Sequence, residues 1–501
     1  MISAFANTWK VAELRERIIY VLVMIVIVRL GVHITLPGVD AGVIDQHMKN
    51  IAEKGGSDNG MLDTMATIFS GGGLQKLGLF ALGIMPYISA SILMQLMTAV
   101  MPKLSKLSRE DGGRQKINQY TRFITIIIAL VQGGFLGRQI SNNPESLPFF
   151  SGISQVGELV PNPGFTFIAI FTLTVVTGTL LLMWIGDQMT EKGIGNGTSI
   201  IITINIISSL PTALALLWKS LISGGTPAGA AFVVFLFAFL IFVVAATIAI
   251  TQAQRRIAIQ YAKRVVGRKQ YGGQTQYLPL KLNYANVMPI IFATAILGIP
   301  TMIANQMFPS AGWALTLNKV LSYDSIWYYV IAGIMIFFFS YFWVATMFQP
   351  SEISENLKRS GGYIPGIRPG EPTAKFLDFT MTRLTFAGAI FLTIIFALPF
   401  AVSQMPRLFS ADPLNQMITG FFGGTSLLIM VGVILDIMRQ VETQLLQRNY
   451  DGFLRQGKLK GAVDRRNKQL AARSSDNMLY LIVVVALLFI LGIVALSMKG
   501  F

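Results

Sequence analysis

Apolar runs of roughly 17 to 25 residues, the length a helix needs to cross a bilayer, recur near residues 18–36, 75–100, 117–137, 165–186, 198–217, 229–253, 284–304, 326–348, 384–403 and 421–438, with one more near 479–498. No soluble core absorbs that many such runs, so the chain reads as a polytopic membrane protein. Composition agrees, with 53% of the 501 residues apolar and 13% charged. Lys10, Arg15 and Arg17 precede the first run, as in a signal peptide. The run is too long for one and lacks a small-residue cleavage site, so it is taken as a retained first span.

A net charge of +16 would suit a nucleic-acid partner, but multispanning proteins accumulate Lys and Arg in cytoplasmic loops for topological reasons alone. With the N-terminus placed in the cytoplasm, the inner segments hold 30 of the 40 basic residues and the outer segments only 7. That asymmetry fixes the expected orientation.

It also constrains Met61 to Met97, MLDTMATIFSGGGLQKLGLFALGIMPYISASILMQLM, which reads as a helix in two pieces. A short half, about Met61 to Ser70, holds Met61, Leu62, Met65, Ile68 and Phe69. Gly71, Gly72 and Gly73 form a natural joint, and a longer apolar half is expected from Leu74 on. Counting 61–70 as a crossing would invert every later loop, so it is expected to be re-entrant from the outer side. Broken helices at membrane depth are tolerated where they are buried in protein or line a cavity.

The first ten runs divide five and five, and halves with an odd number of crossings have opposite orientation, which permits an inverted repeat. The second run of each half is expected to be interrupted, one by the glycines and Pro86, the other by Pro289 and Pro300. Such paired interruptions point to a functional centre.

No catalytic constellation is present. Gly452 to Leu459 has phosphate-loop spacing, but Leu459 stands where Ser or Thr should hold Mg²⁺ and no strand precedes it. GIGNG at 193–197 is not a dinucleotide fingerprint. With no cysteine and two histidines, His33 and His47, neither a disulfide framework nor a cofactor or metal site is expected. Ionisable groups are scarce at span centres, whereas ion-coupled transporters place them there. Asp187 and Asp436 fall near inner ends, and Arg29 near the outer end of the first run, where it is expected to snorkel or pair. An apolar waist can still work as a pore, because bulky aliphatic side chains exclude water and resist ion flow. Ile84 and Ile88 share a helix face, a pattern that ordinary packing also produces.

Several segments closely resemble the bacterial SecY family: FALGIMPYISASILMQL (80–96), TEKGIGNGTSI (190–200), QRRIAIQYAKRVVGRKQYGGQTQYLPLKLN (254–283), NLKRSGGYIPGIRPGEPTAKFLD (356–378), MTRLTFAG (381–388) and GGTSLLI (423–429). They occur in the family's order across about 10 to 455. The resemblance implies an all-α polytopic membrane protein with ten transmembrane helices in two inverted five-helix halves around a central pore; the apolar run at 478–498 departs from the family and is expected as an eleventh, C-terminal helix, laid out like a fused accessory subunit. It implies a pore ring at Ile84, Ile88, Thr198, Ile202, Ile291 and Ile429. Thr198 departs from the usual aliphatic residue, its methyl expected to face the pore and its hydroxyl to bond the preceding turn. Residues 61–73 take the place of the plug. Gln95 and Thr294 match positions facing a lateral gate, where interhelical hydrogen bonding alone would also account for them.

The 254–283 segment carries seven basic residues, no acidic ones and three tyrosines, a density suited to phosphates or an acidic protein face. By resemblance, Arg255, Arg256, Lys263, Arg264, Arg268, Lys269 and Arg368 receive the ribosome or the SecA motor ATPase. Implied partners also include SecE- and SecG-type small membrane subunits, secretory preproteins and their signal peptides, and membrane lipids. The expected domains are 1–217, 218–283, 284–455 and a tail, 456–501, of basic stalk and extra span. The implied function is a passive gated channel in the bacterial cytoplasmic membrane, without its own ATPase site. An ion-coupled transporter and a pore-less ribosome receptor are the alternatives.

Overall fold

A computed structural model describes residues 12–53, 70–110, 112–147, 150–223, 227–261, 264–266, 269–271, 275–307, 311–321, 325–408 and 425–455. Each of the first ten apolar runs lies at least partly on a helix: α1 is Ala12–His33, followed by the short helix α2 at Ala41–Glu53, then α3 at Met85–Val100, α4 at Pro102–Arg109, α5 at Gly113–Asn142, α6 at Phe165–Lys192, α7 at Gly197–Ser223 and α8 at Pro227–Gln252. Among the described residues, four helices are long and apolar enough to cross a membrane, or five if α3 and α4, bent by 105°, count as one span. The run at 479–498 lies outside the described residues.

Chain contacts divide the protein into two units, Met1–Val243 with Ala401–Phe501, and Val244–Phe400. In the first unit, α5 packs on α3 and α6, and α7 packs on α6. Arg122 Nη2 donates to Asp187 Oδ2 at 2.6 Å, tying α5 to α6. Hydroxyls inside these helices are satisfied by their own backbone, Thr125 donating to the Thr121 carbonyl and Thr179 to that of Val175, as an apolar surrounding demands. Leu22, Val26 and Leu30 of α1 and Leu173 of α6 are exposed, the outward apolar face expected of helices in lipid.

The longer half-helix expected from Leu74 does not form. Residues 71–84 are a chain of tight turns, and helix begins only at Met85 with Pro86 in its first turn. The physical reason lies in the proline, which is favoured in a first turn and breaks a helix that continues through it. The irregular segment is buried and its backbone groups find partners: Leu36 N–H donates to the Leu77 carbonyl at 2.9 Å, Leu79 N–H to that of Ile34 at 2.8 Å, and Gly78 N–H to that of Gly73 at 2.8 Å. Leu77 sits at φ +44 and is fully buried among residues such as Leu36, Leu136 and Phe171. A bulky residue in that region is strained and persists only where its surroundings over-determine it.

The second unit contains α9 at Met288–Met307, α10 at Gly312–Val320, α11 at Ile326–Met347, α12 at Pro350–Arg359 and most of α13, Glu371–Leu408; α14, Thr425–Arg455, returns to the first unit. The expected interruption of the seventh run is not a break. Pro289 falls in the first turn of α9, where proline is tolerated, and Pro300 lies inside a continuous helix.

The 254–281 region also departs from the all-α expectation. Strands β1 (Gln254–Tyr261), β2 (Arg264–Val266), β3 (Lys269–Tyr271) and β4 (Thr275–Lys281) form there, and β5 (Gly362–Tyr363) joins from a distant part of the chain. β1 lies between β4 and β5 in a three-stranded antiparallel sheet, with Ile257 opposite Leu278 and Gln260 opposite Tyr363, while β2 and β3 pair as a separate hairpin. Ile257 and Leu280 enter a core with Val344, Phe348, Leu377 and Met381, fastening the sheet to α11 and α13. The polar face alternates outward, so strand periodicity outweighed the basic charge.

Candidate functional site

The turn segment 70–84 organises the first unit. α1 runs beside it, and Arg29 Nη1 donates to the Gly71 carbonyl at 3.2 Å. The expected pairing of Arg29 is therefore with backbone rather than a carboxylate. Gly71 has φ +62, natural for glycine. A Cβ there would lie 2.5 Å from Asn205 Oδ1 of α7 and 2.8 Å from Arg29 Nη1, so these side chains converge on the joint from two helices. On the α6 side, Gly178 lets the helix backbone approach the Leu79 carbonyl so closely that any methyl would overlap it.

Ile84 caps α3 and is 1% exposed; Ile88 is half-buried one turn later, its N–H donating to the Ile84 carbonyl at 3.1 Å. Ile202 and Ile429 are buried, on α7 and α14, and α14 packs against α7, where the Gln440 side chain accepts from Gly195 N–H at 2.8 Å. Ile291 is buried on α9, in the second unit. Thr198 behaves differently from expectation. Its hydroxyl donates to Asn196 Oδ1 at 2.6 Å and its methyl faces Gly186 of α6. The cause is position: Thr198 stands in the first turn of α7, with no preceding turn to accept, and Asn196 is the capping residue, also receiving Thr198 N–H at 3.1 Å and Ser199 N–H at 3.3 Å.

Gly71, Gly72 and Gly73 are described as turns, whereas Met61, Leu62, Met65, Ile68 and Phe69 lie outside the described residues. Gln95 is half-buried on α3 and its amide donates to Ser91 Oγ at 3.4 Å. Thr294, buried on α9, spends its hydroxyl on the Ile290 and Ile291 carbonyls at 3.0 Å each. Of the basic set, Arg255 and Arg256 are exposed on β1 and Arg368 is exposed just before α13. Arg264 belongs to β2, opposite Tyr271, and Lys269 to β3, opposite Val266. Lys263 and Arg268 lie outside the described residues.

Sequence reasoning did not single out Asn205. It is 2% exposed and shares a helix face with Ile202, three residues earlier. The available signal was a lone amide in an otherwise apolar and hydroxyl-bearing stretch.

An irregular buried backbone enclosed by apolar helices, together with outward faces suited to lipid, defines a multi-pass helical membrane protein. A family model described as SecY matches residues 78–438. The protein translocase subunit SecY of Streptomyces coelicolor is 41% identical over 461 residues, covering 91% of this chain and 100% of its own. That of Thermotoga maritima is 38% identical over 463 residues, covering 92% and 100%. The chain belongs to the SecY family. Two solved structures are similar in fold: "The structure of a protein conducting channel", with TM-score 0.55 and 16% identity over 85% of this chain and 91% of that one, and "Sec61 in the Canine ribosome-channel complex from the endoplasmic reticulum", with TM-score 0.53 and 14% identity over the same shares.

Proposed function

We propose that this chain is the channel subunit of a protein translocase, passing unfolded polypeptides across the membrane. The observation that carries this reading is the match to translocase subunits over their full length at about 40% identity. Ten crossings in two inverted halves, with the N-terminus in the bacterial cytoplasm, accommodate the ten apolar runs and the loop-charge asymmetry. Residues 61–70 act as a stopper on the hinge 71–73, and Ile84, Ile88, Ile202 and Ile429 line an apolar constriction that excludes water. The inclusion of Ile291, the weaker place of Thr198, and the pairing of Gln95 with Thr294 at a lateral gate come from family resemblance alone.

The chain has no ATP-hydrolysing site of its own in this reading and is driven by a partner. The basic sheet supported on α11 and α13 is the surface for the ribosome or the SecA motor, with Arg255 and Arg256 exposed on β1 and Arg368 exposed just before α13. SecE- and SecG-type subunits complete the complex. β4 leads into α9 through a short turn in which Asn283 Nδ2 donates to the Asn286 carbonyl at 3.1 Å. Residues 456–501 supply a basic stalk and an extra span. A reporter fused after Phe501 that reads cytoplasmic would remove that span from the account.

The pore reading is tested with a photoreactive residue at Ile202 or at lipid-exposed Phe338, and a secretory chain arrested in transit. Its mature part should crosslink at Ile202 and not at Phe338. Crosslinking confined to Phe338 would overturn it.

A further inference from the structure

We propose that Gln440 is a positioning residue of the channel: its side chain, aimed by Asp436, seats α14 on the 193–197 loop and so holds Ile429 at the constriction. This rests on the reading of Ile202 and Ile429 as parts of that constriction. The GIGNG loop joins α6 to α7, and each of its glycines presses on a different helix. A Cβ on Gly193 would run into Val21 of α1, one on Gly195 would lie 3.0 Å from Ile437 Cγ1 of α14, and one on Gly197 would overlap the Gly186 carbonyl of α6. Between them, Ile194 is buried with Leu14 of α1 and Val441 of α14. Gly195 has φ +90, a conformation that glycine adopts without strain.

The hydrogen bonds of the loop set α14 apart. Gly197 N–H donates to Thr190 Oγ1 at 2.8 Å, and Thr198 and Ser199 N–H donate to Asn196 Oδ1, all within α6, α7 and their link. Gly195 N–H instead donates to Gln440 Oε1 at 2.8 Å, across 245 positions of chain. Gln440 Nε2 donates to Asp436 Oδ2 at 3.3 Å, which turns the amide so that its oxygen faces the loop. Gly195 is buried, so a displaced α14 leaves this N–H unmet until water reaches it, and the seated position is favoured. Ile429 and Gln440 share one face of α14, about three turns and roughly 16 Å apart. α14 packs on α7, which carries Ile202. A turn of α14 that breaks the clasp therefore swings Ile429 out of place, while α7 stays tied to α6 through Thr190.

In the full complex in membrane vesicles, a photoreactive residue is placed at Ile429 or at Ile202 and a secretory chain is arrested in transit. Gln440→Leu should cut crosslinking at Ile429 and leave that at Ile202 unchanged. It should also raise resting ion conductance about tenfold, as the loss of one buried hydrogen bond implies. The exchange of Asp436→Asn together with Gln440→Glu keeps an acceptor for Gly195 and a donor beside it, and should restore both readings. A helix merely loosened by a lost contact would lower both crosslinks together and gain nothing from the exchange.

Unaltered crosslinking and conductance in a folded Gln440→Leu complex overturn the clasp, as does a parallel fall at both probes or an exchange that restores nothing. If neither probe meets the arrested chain in the unsubstituted complex, the constriction reading fails first and the proposal falls with it. Should Gln440→Leu not assemble, Asp436→Ala is the second variant, since Asp436 is exposed. It should shift the Ile429 crosslink and the conductance the same way by a smaller factor, and the absence of any shift overturns the proposal.

Discussion

Gly178 of α6 lies directly against the carbonyl oxygen of Leu79, with no room for a methyl between them. This approach is what lets a helix close over an irregular segment whose backbone must be shielded from lipid. Gly178→Ala should cost about 1–3 kcal/mol, the usual range for overpacking a tightly filled site. A lowered midpoint in thermal aggregation followed by size-exclusion chromatography is the readout, with Gly134→Ala, which meets open space, as the control.

Leu77 sets two effects against each other. Truncation to Ala removes a fully buried side chain, typically costing about 2–5 kcal/mol, and keeps a Cβ at φ +44. Leu77→Gly gives up the Cβ methyl as well, but it relieves the backbone by about 1–2 kcal/mol, at the upper end more than glycine's added chain entropy of roughly 0.5–1 kcal/mol and the methyl's burial of about 0.8 kcal/mol together. Leu77→Gly should therefore be the more stable of the two, the reverse of the order at ordinary sites. Equal or inverted thermal midpoints would show that this turn is not strained.

If the basic sheet is the proposed docking surface, combined reversal of Arg255, Arg256 and Arg368 to Glu should weaken ribosome binding by an order of magnitude or more at low salt. The salt dependence should flatten by about one unit of log-log slope for each phosphate that these side chains no longer neutralise. Cosedimentation across a salt series measures both. A uniform weakening with unchanged slope would mean that these residues do not meet phosphates.

The proposed constriction makes an electrical prediction. Ile84→Asn, Ile429→Asn and deletion of 61–70 should each raise single-channel leak in planar bilayers, because each wets part of a dry waist. Paired changes at Ile84 and Ile429 should add less than their separate effects, since the first wetting already admits ions.

The helices are legible in the sequence because lipid leaves a chain little choice: runs such as 326–348 must be apolar throughout, and α11 follows within a residue or two. The start of α3 is not, since LFALGI is equally apolar as helix or as buried turns, and only Pro86 distinguishes them. The strands are partly legible in the alternation of Ile257 and Ile259 with polar neighbours, a pattern that the basic charge obscures. The pairing of Gln260 with Tyr363 is not, because no local signal specifies a partner 103 residues away. Arg29 stands out as a cation in need of a partner, yet its partner is a backbone carbonyl, which carries no sequence signature. Asn205 does not stand out, for the complementary reason that its role depends on where α7 packs.

The measurement closest to the central claim is translocation by the purified complex. Reconstituted into sealed vesicles with the motor ATPase, ATP and a secretory preprotein, the chain should render the preprotein protease-resistant in an ATP-dependent manner. An Ile202 probe should crosslink to the moving chain in the same vesicles. Vesicles in which the preprotein stays fully protease-accessible, while the complex is folded and binds the motor, would contradict the account.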